Sequence, residues 1–342
     1  MTRSRLVLLA ALVIVAVGTV IAIGALLLDP ARAAIGPLPA EALVLPAECR
    51  FVVGLDVKRF VASPFYKKLA SQGGAAARPA GFTELEQRMG LSPERDVDQL
   101  LIAGLPPSDG QTRGLFIALG RFDRARIVQS IEGSSKGASQ VVEGTPVWTF
   151  VEGPKGSLAG AVLSPRALVL GSGDAVRATV SAKAQGRTPL KGSTELVSRI
   201  ESVRPGSTFW VVGDQSLLSQ LPSSLAIPGA GGGASQSLSL PALRGLTITG
   251  DLEPIVALDV VGHTADAPAA QNLADLVRGF VAILSLQAAQ KPELRELATA
   301  ITVTAEGDKV RLGARLPYEL LEALQVMPKA TTPTSPTRPP AR

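Results

Sequence analysis

Three patterns of hydrophobic and polar positions run along the chain. The first is unbroken. Residues 6–28, LVLLAALVIVAVGTVIAIGALLL, are 23 positions with no charge, and Thr19 is the only polar side chain among them. About 20 apolar residues carry a helix across a bilayer, because each residue rises 1.5 Å through about 30 Å of hydrocarbon. The run predicts a transmembrane helix. A cleaved signal peptide is the competing reading: Ala31-Arg32-Ala33 has the A-x-A form and cleavage would fall after Ala33, but the apolar core of a signal peptide is shorter. Arg3 and Arg5 precede the run, while Asp29 and Arg32 cancel behind it. The positive-inside rule then places residues 1–5 in the cytoplasm and everything after the single span outside, periplasmic or extracellular.

The second pattern is period two. RFVVGLD (50–56), DQLLIAGLP (98–106) and RGLFIALG (113–120) read as strands, the first ended by Gly54. SQVVEG, PVWTFVE, GSLAGAVLS and RALVLGSG, within 139–173, read as successive antiparallel strands joined by EGTP, GPKG and SPR turns. Later come FWVVGD, LRGLTITG and PIVALDVVG, then a hairpin, ITVTAE-GD-KVRLGARL. Gly307-Asp308 suits its two-residue turn. Its alternation puts Ile301, Val303, Ala305, Val310, Leu312 and Ala314 on one side.

The third pattern is helical spacing behind a capping residue. Asp56, Ser63, Thr83 with Glu86, Asp123 and Asp174 stand where N-caps belong, and STELVSRIESV is a further helix. A long apolar stretch, about 268–290, is interrupted by Asp275 and Arg278, so it reads as a buried core helix and not a second span. YELLEALQ is the last helix.

The two halves begin alike. Pro46-AECR-FVVGLD and Pro205-GST-F-WVVGD both place an aromatic residue five positions after the proline, then VVG, then an aspartate. Strand, helix, two strands, helix, further strands and helix follow in both. This predicts a tandem duplication. The organisation expected is α+β: a transmembrane helix at 6–28, an Ala/Pro-rich linker at 29–45, a first α+β repeat at 46–204, a second at 205–328, each of antiparallel strands with helices packed on them, and a disordered Pro/Thr tail at 329–342.

Composition narrows the functional classes. The 34 basic residues against 29 acidic ones suggest an anionic partner. Yet Arg3, Arg5, Arg32, Lys329, Arg338 and Arg342 lie in the ends, with only Asp29 opposing them, which leaves 28 of each sign between. A neutral ectodomain lacks the basic footprint that nucleic-acid binding requires, so no nucleic-acid partner is expected. Cys49 is the only cysteine, so there is no internal disulfide, and it reads as an inert residue at the start of a strand.

Candidate chemistry is sparse. Gly133-Ser134-Ser135-Lys136-Gly137 spells G-x-S-x-G, but a helix precedes it and a strand follows, the reverse of a nucleophile elbow. His263 is the only histidine, and Asp259 and Asp266 are its nearest acids; one strand position, one strand end and one helix start do not obviously converge. Gly171-Ser172-Gly173 stands where a dinucleotide loop would, but Val176 replaces the third glycine and Asp174 would repel a pyrophosphate. Gly229–Ala234, GAGGGA, has no strand leading into it. Asp96 and Asp98 are the only close acidic pair near a strand start. No catalytic, cofactor-binding or metal-ligating set is assigned.

At PAECRFVVGLDVKRFVASPFYKKL and LFIALGRFD the chain resembles a group of uncharacterised, N-terminally anchored envelope proteins of bacteria. The resemblance implies the same plan of anchor, short linker and α+β ectodomain. The group has no assigned activity, so it implies no catalytic residue. The function expected is binding or scaffolding by a non-enzymatic envelope protein held in the cytoplasmic membrane by residues 6–28. The first alternative is a carrier of an apolar ligand such as lipid, suggested by an aliphatic-rich composition with only 13 aromatic residues. A hydrolase is the second alternative.

Overall fold

The computed structural model describes residues 39–73, 91–108, 110–133, 138–153, 156–218, 224–227, 236–239, 243–287 and 292–326. The expected span at 6–28, the first part of the linker, the capping box at Thr83 and Glu86, residues 134–137 of the G-x-S-x-G sequence, the GAGGGA loop and the tail lie outside the described residues. Among those described, no helix is long and apolar enough to cross a membrane.

The fold mixes helices with one large antiparallel sheet. Its strands are β1 (Phe51–Asp56), β2 (Val97–Ser108), β3 (Gln111–Gly120), β4 (Ala138–Val142), β5 (Thr145–Gly153), β6 (Gly156–Ser164) and β7 (Ala167–Ser172) from the first part of the chain. The second part adds β8 (Phe209–Asp214), β11 (Gly245–Asp251), β12 (Val256–His263), β13 (Ile301–Glu306) and β14 (Lys309–Leu316). Two four-residue strands, β9 (Ser224–Ile227) and β10 (Gln236–Ser239), pair apart from it. The twelve strands lie in the order β13-β14-β12-β11-β8-β1-β2-β3-β7-β6-β5-β4.

β1 and β8 meet at the middle. Outward from β1 come β2, β3, β7 and β6; outward from β8 come β11, β12, β14 and β13. At the junction Val52 pairs with Val212 and Val53 with Val211. Phe51 lies opposite Gly213, and Trp210 lies opposite Gly54.

The alternation seen in the sequence sorts residues to two faces. One face carries Val52, Leu101, Ile117, Val169 and Val212 in a single core cluster with the helices Gly173–Ala184 and Thr194–Glu201. The other carries Leu55, Phe209, Val211, Ile248 and Leu258 beneath the helices Val57–Ala62, Arg124–Gly133, Pro292–Thr299 and Tyr318–Val326. In the last hairpin, Ile301, Val303 and Ala305 are half-buried while Thr302, Thr304 and Glu306 are exposed, as their spacing predicts.

Several local expectations need correcting. Gly54 does not end β1, which runs on to Asp56; glycine stands there because the Trp210 indole lies over it. Asp174 does not cap its helix. Ser172 holds the cap position without a side-chain bond, and Asp174 pairs with Arg113 of β3 instead, because that guanidinium is within reach and mostly shielded from water. The stretch read as linker ends inside the core: residues 40–44 form a 3-10 turn, and Ala42, Val44 and Leu45 are buried, since ALVL is itself apolar. The long helix, Ala267–Gln287, is no core helix. It buries Ala270 and Ala274 against β13 and β14 and leaves Leu276, Val277 and Phe280 half-exposed. The strands β9 (SLAI) and β10 (QSLS) are not legible in the sequence, because four residues are too few to show a period.

Other caps stand as expected. The Arg59 N–H donates to Asp56 Oδ1 at 3.0 Å, the Tyr66 N–H to Ser63 Oγ at 3.2 Å, and the Arg126 N–H to Asp123 Oδ1 at 3.1 Å.

Candidate functional site

The residues singled out by sequence do not share a site. Asp259 and His263 lie on β12, four residues apart and on the same face, so about 13 Å separates them along the strand. Asp266 sits beyond the strand end, where it caps the helix Ala267–Gln287 by accepting from the Ala269 N–H at 2.9 Å. No group of three or more histidine, cysteine or acidic side chains among the described residues is placed to hold a metal ion. Ser172 of the glycine loop accepts from the Gly114 N–H at 3.1 Å, and Ser157 Oγ fills the space beside Gly173, so no phosphate cradle opens there.

Asp259 and His263 nevertheless sit in a polar patch. On the face that is apolar in the first half, the second half presents Thr247 and Thr249 of β11, Asp259 and His263 of β12, and Arg311 of β14. Arg311 Nη1 binds Asp259 Oδ2 at 2.6 Å. Three buried atoms in this patch have no hydrogen-bond partner among the described residues: Thr247 Oγ1, Asp259 Oδ1 and His263 Nε2. Burial holds the His263 imidazole below its usual range, and Arg199 and Lys309 nearby push it the same way, so it is neutral at pH 7.

A second polar cluster lies where β2 begins. Asp56 and Asp98 are both buried. Burial raises the Asp98 carboxyl above its usual range, against the pull of Lys58, Arg121 and Arg166. Asp56 is likewise raised by burial, with Asp98 adding to the shift and the Arg59 N–H opposing it. A folded-state value above the unfolded one means that the native protein holds its proton longer, so this group costs stability once the pH passes the ordinary value near 3.8. Asp98→Asn is therefore expected to raise the melting temperature at pH 7. The gain should shrink as pH falls toward 4 and vanish below it. Thermal unfolding across that range checks it; a gain independent of pH, or a loss at pH 7, contradicts the assignment.

The feature with most extent is apolar. Following the register across the sheet, Leu170, Phe116, Ile102, Val53, Val211, Ile248, Val260, Leu312 and Val303 stand opposite one another on nine consecutive strands. The row is fully buried only at its centre, at Val211 and Ile248. Phe116, Ile102, Val53 and Val260 are half-buried, and Leu170 is 40 % exposed. Leu158, near the same end of the row, is 39 % exposed. No single stretch of sequence could disclose the row, because each strand contributes one residue to it.

The fold and these sites define a mixed helix-and-strand protein built on a large antiparallel sheet. No protein-family model matches the chain, and no curated protein does. Among solved structures it is similar to TP0453 in two crystal forms. Form I shows 10% identity and a TM-score of 0.43 over 84% of this chain and 97% of that one. Form IV shows 11% identity and a TM-score of 0.44 over 83% and 95%. A likeness this distant assigns no function.

Proposed function

We propose that this is a membrane-anchored protein of a bacterial envelope that binds or scaffolds a partner. Residues 6–28 are its single span of the cytoplasmic membrane, with the N-terminus inside and a tandemly duplicated ectodomain outside. The uncharged length of the run and the arginines before it support the anchor and its orientation. The matched strand order on either side of β1 and β8 supports the duplication. So does the junction: with Pro46 set on Pro205, Val52 and Val53 correspond to Val211 and Val212, and an axis between these pairs exchanges the two strands.

The observation that carries the binding reading is the apolar row, which runs the width of nine strands and is exposed toward one end. At that end Leu170 and Leu158 leave apolar surface open, and exposed apolar surface is where a partner docks. It also favours a second reading, in which the sheet carries an apolar ligand such as a lipid chain.

Membrane fractionation with a C-terminal tag tests the anchor, and protease protection tests its orientation. Recovery in the soluble cytosolic fraction refutes the anchor. Mass spectrometry of organic extracts from the purified protein separates the two binding readings. A co-purifying lipid near one per chain, lost in a Leu170→Glu variant that still folds, supports the carrier; extracts free of lipid oppose it.

A further inference from the structure

Among the described residues the sheet ends in two edges. At one end β13 alternates half-buried apolar residues with exposed Thr302, Thr304 and Glu306, and the helix Ala267–Gln287 packs on it. At the other end β4 is Ala-Ser-Gln-Val-Val, without charge or proline, and Val141 is 67 % exposed. Exposed edges are ordinarily blunted by charge or proline, because their unpaired N–H and C=O groups are a template for another strand.

The direction of those groups can be derived. Val141 lies opposite Pro146 of β5. Proline has no N–H, so this is the non-hydrogen-bonded pair, and the bonded pairs are Gln140 with Val147 and Val142 with Thr145. Ser139 and Val141 therefore turn their backbone groups away from β5, to the outer side. The edge is also held in place. Val142 packs on the core, and Gln185 Nε2 donates to Glu143 Oε1 at 2.9 Å in the hairpin turn.

We propose that β4 is the self-association strand of this protein, pairing antiparallel with β4 of a second copy. Ser139 meets Val141 of the partner subunit, and Gln140 meets Gln140 of the partner subunit on the two-fold axis. An identical copy fits because a two-fold sets each residue near its own kind. The outward groups of Ser139 and Val141 are symmetric about Gln140, so every donor meets an acceptor, and no charge within the strand meets itself. The pairing would extend the sheet across two molecules.

Cross-linking of the full chain in its membranes tests this. In the proposed register Gln140 and its copy form a non-hydrogen-bonded pair with Cα atoms about 4.5 Å apart, within disulfide reach. Ala138 and its copy would be about 13 Å apart along the strands. Under mild oxidation Gln140→Cys should give at least about tenfold more disulfide dimer than Ala138→Cys, a margin set by that distance. Native Cys49 is buried, with its thiol pushed up to about 12, and contributes no background. Adding Val141→Pro to Gln140→Cys removes an outward N–H that β5 does not use, so the hairpin survives and the dimer should be lost. Equal cross-linking at positions 138 and 140, or a dimer that persists with Val141→Pro, overturns the proposal.

Discussion

Trp210→Ala is expected to lower the unfolding free energy by about 3–5 kcal/mol, the range for emptying a large aromatic site in a packed core. Trp210 is 4 % exposed at the centre of the sheet, on β8, where the two parts of the chain join. Its indole lies against Gly54 of β1: a Cβ built at Gly54 would come within 2.2 Å of Trp210 Cε2. The two residues therefore occupy one volume, and their substitutions should couple. Gly54→Ala alone overpacks the site and costs about 1–3 kcal/mol. In the Trp210→Ala background the same methyl enters vacated space, and the cost should fall close to zero or reverse. Urea unfolding followed by circular dichroism measures all four species. Equal costs of Gly54→Ala in both backgrounds would show that the indole does not occupy that space.

Gly120→Ala should rank beside it, at or above the upper end of the 1–3 kcal/mol range for overpacking. A Cβ at Gly120 would stand 1.9 Å from the Asp96 carbonyl oxygen and 2.9 Å from Val97 Cα. These are backbone atoms, and no rotamer change relieves the contact. The backbone is also pinned on both sides: the Gly120 N–H donates to the Arg166 carbonyl at 3.0 Å, and the Arg121 N–H to the Asp96 carbonyl at 2.8 Å. Gly114→Ala, on the same strand, is the comparison, because its Cβ would meet only the Ala103 carbonyl oxygen, at 3.3 Å. Similar melting temperatures for the two variants would contradict the steric account.

Much of the sheet was legible because strand period is a local signal. Val52 and Val53 point to opposite faces by alternation alone, and the hairpin at Gly307-Asp308 is specified by its turn residues. Caps at Asp56, Ser63 and Asp123 are equally local. Asp174 was misread because its competitor for hydrogen bonding, Arg113, lies 61 positions earlier in the chain. Gly54 was misread as a strand end for the same reason. Its partner is an indole more than 150 residues away, and a glycine under an aromatic ring looks in sequence like a glycine in a turn.

The candidate sites were less legible still. His263 and Asp259 drew attention as residue types, but sequence could not place Thr247 beside them, since that depends on β11 pairing with β12 in one register. The apolar row is the extreme case, with one residue from each of nine strands.

By itself the sequence determined the uncharged run at 6–28, the balance of charge between the ends, the alternating strands and most helix starts. Each depends on residues within a few positions of one another, where spacing and side-chain chemistry act directly. Only the tertiary structure decided that β1 and β8 join the strands into one sheet, that Trp210 rests on Gly54, and that β4 is the last strand among the described residues. Those outcomes depend on which distant segments pair and in what register, and burial on a shared face, which no local pattern records, selects among the pairings.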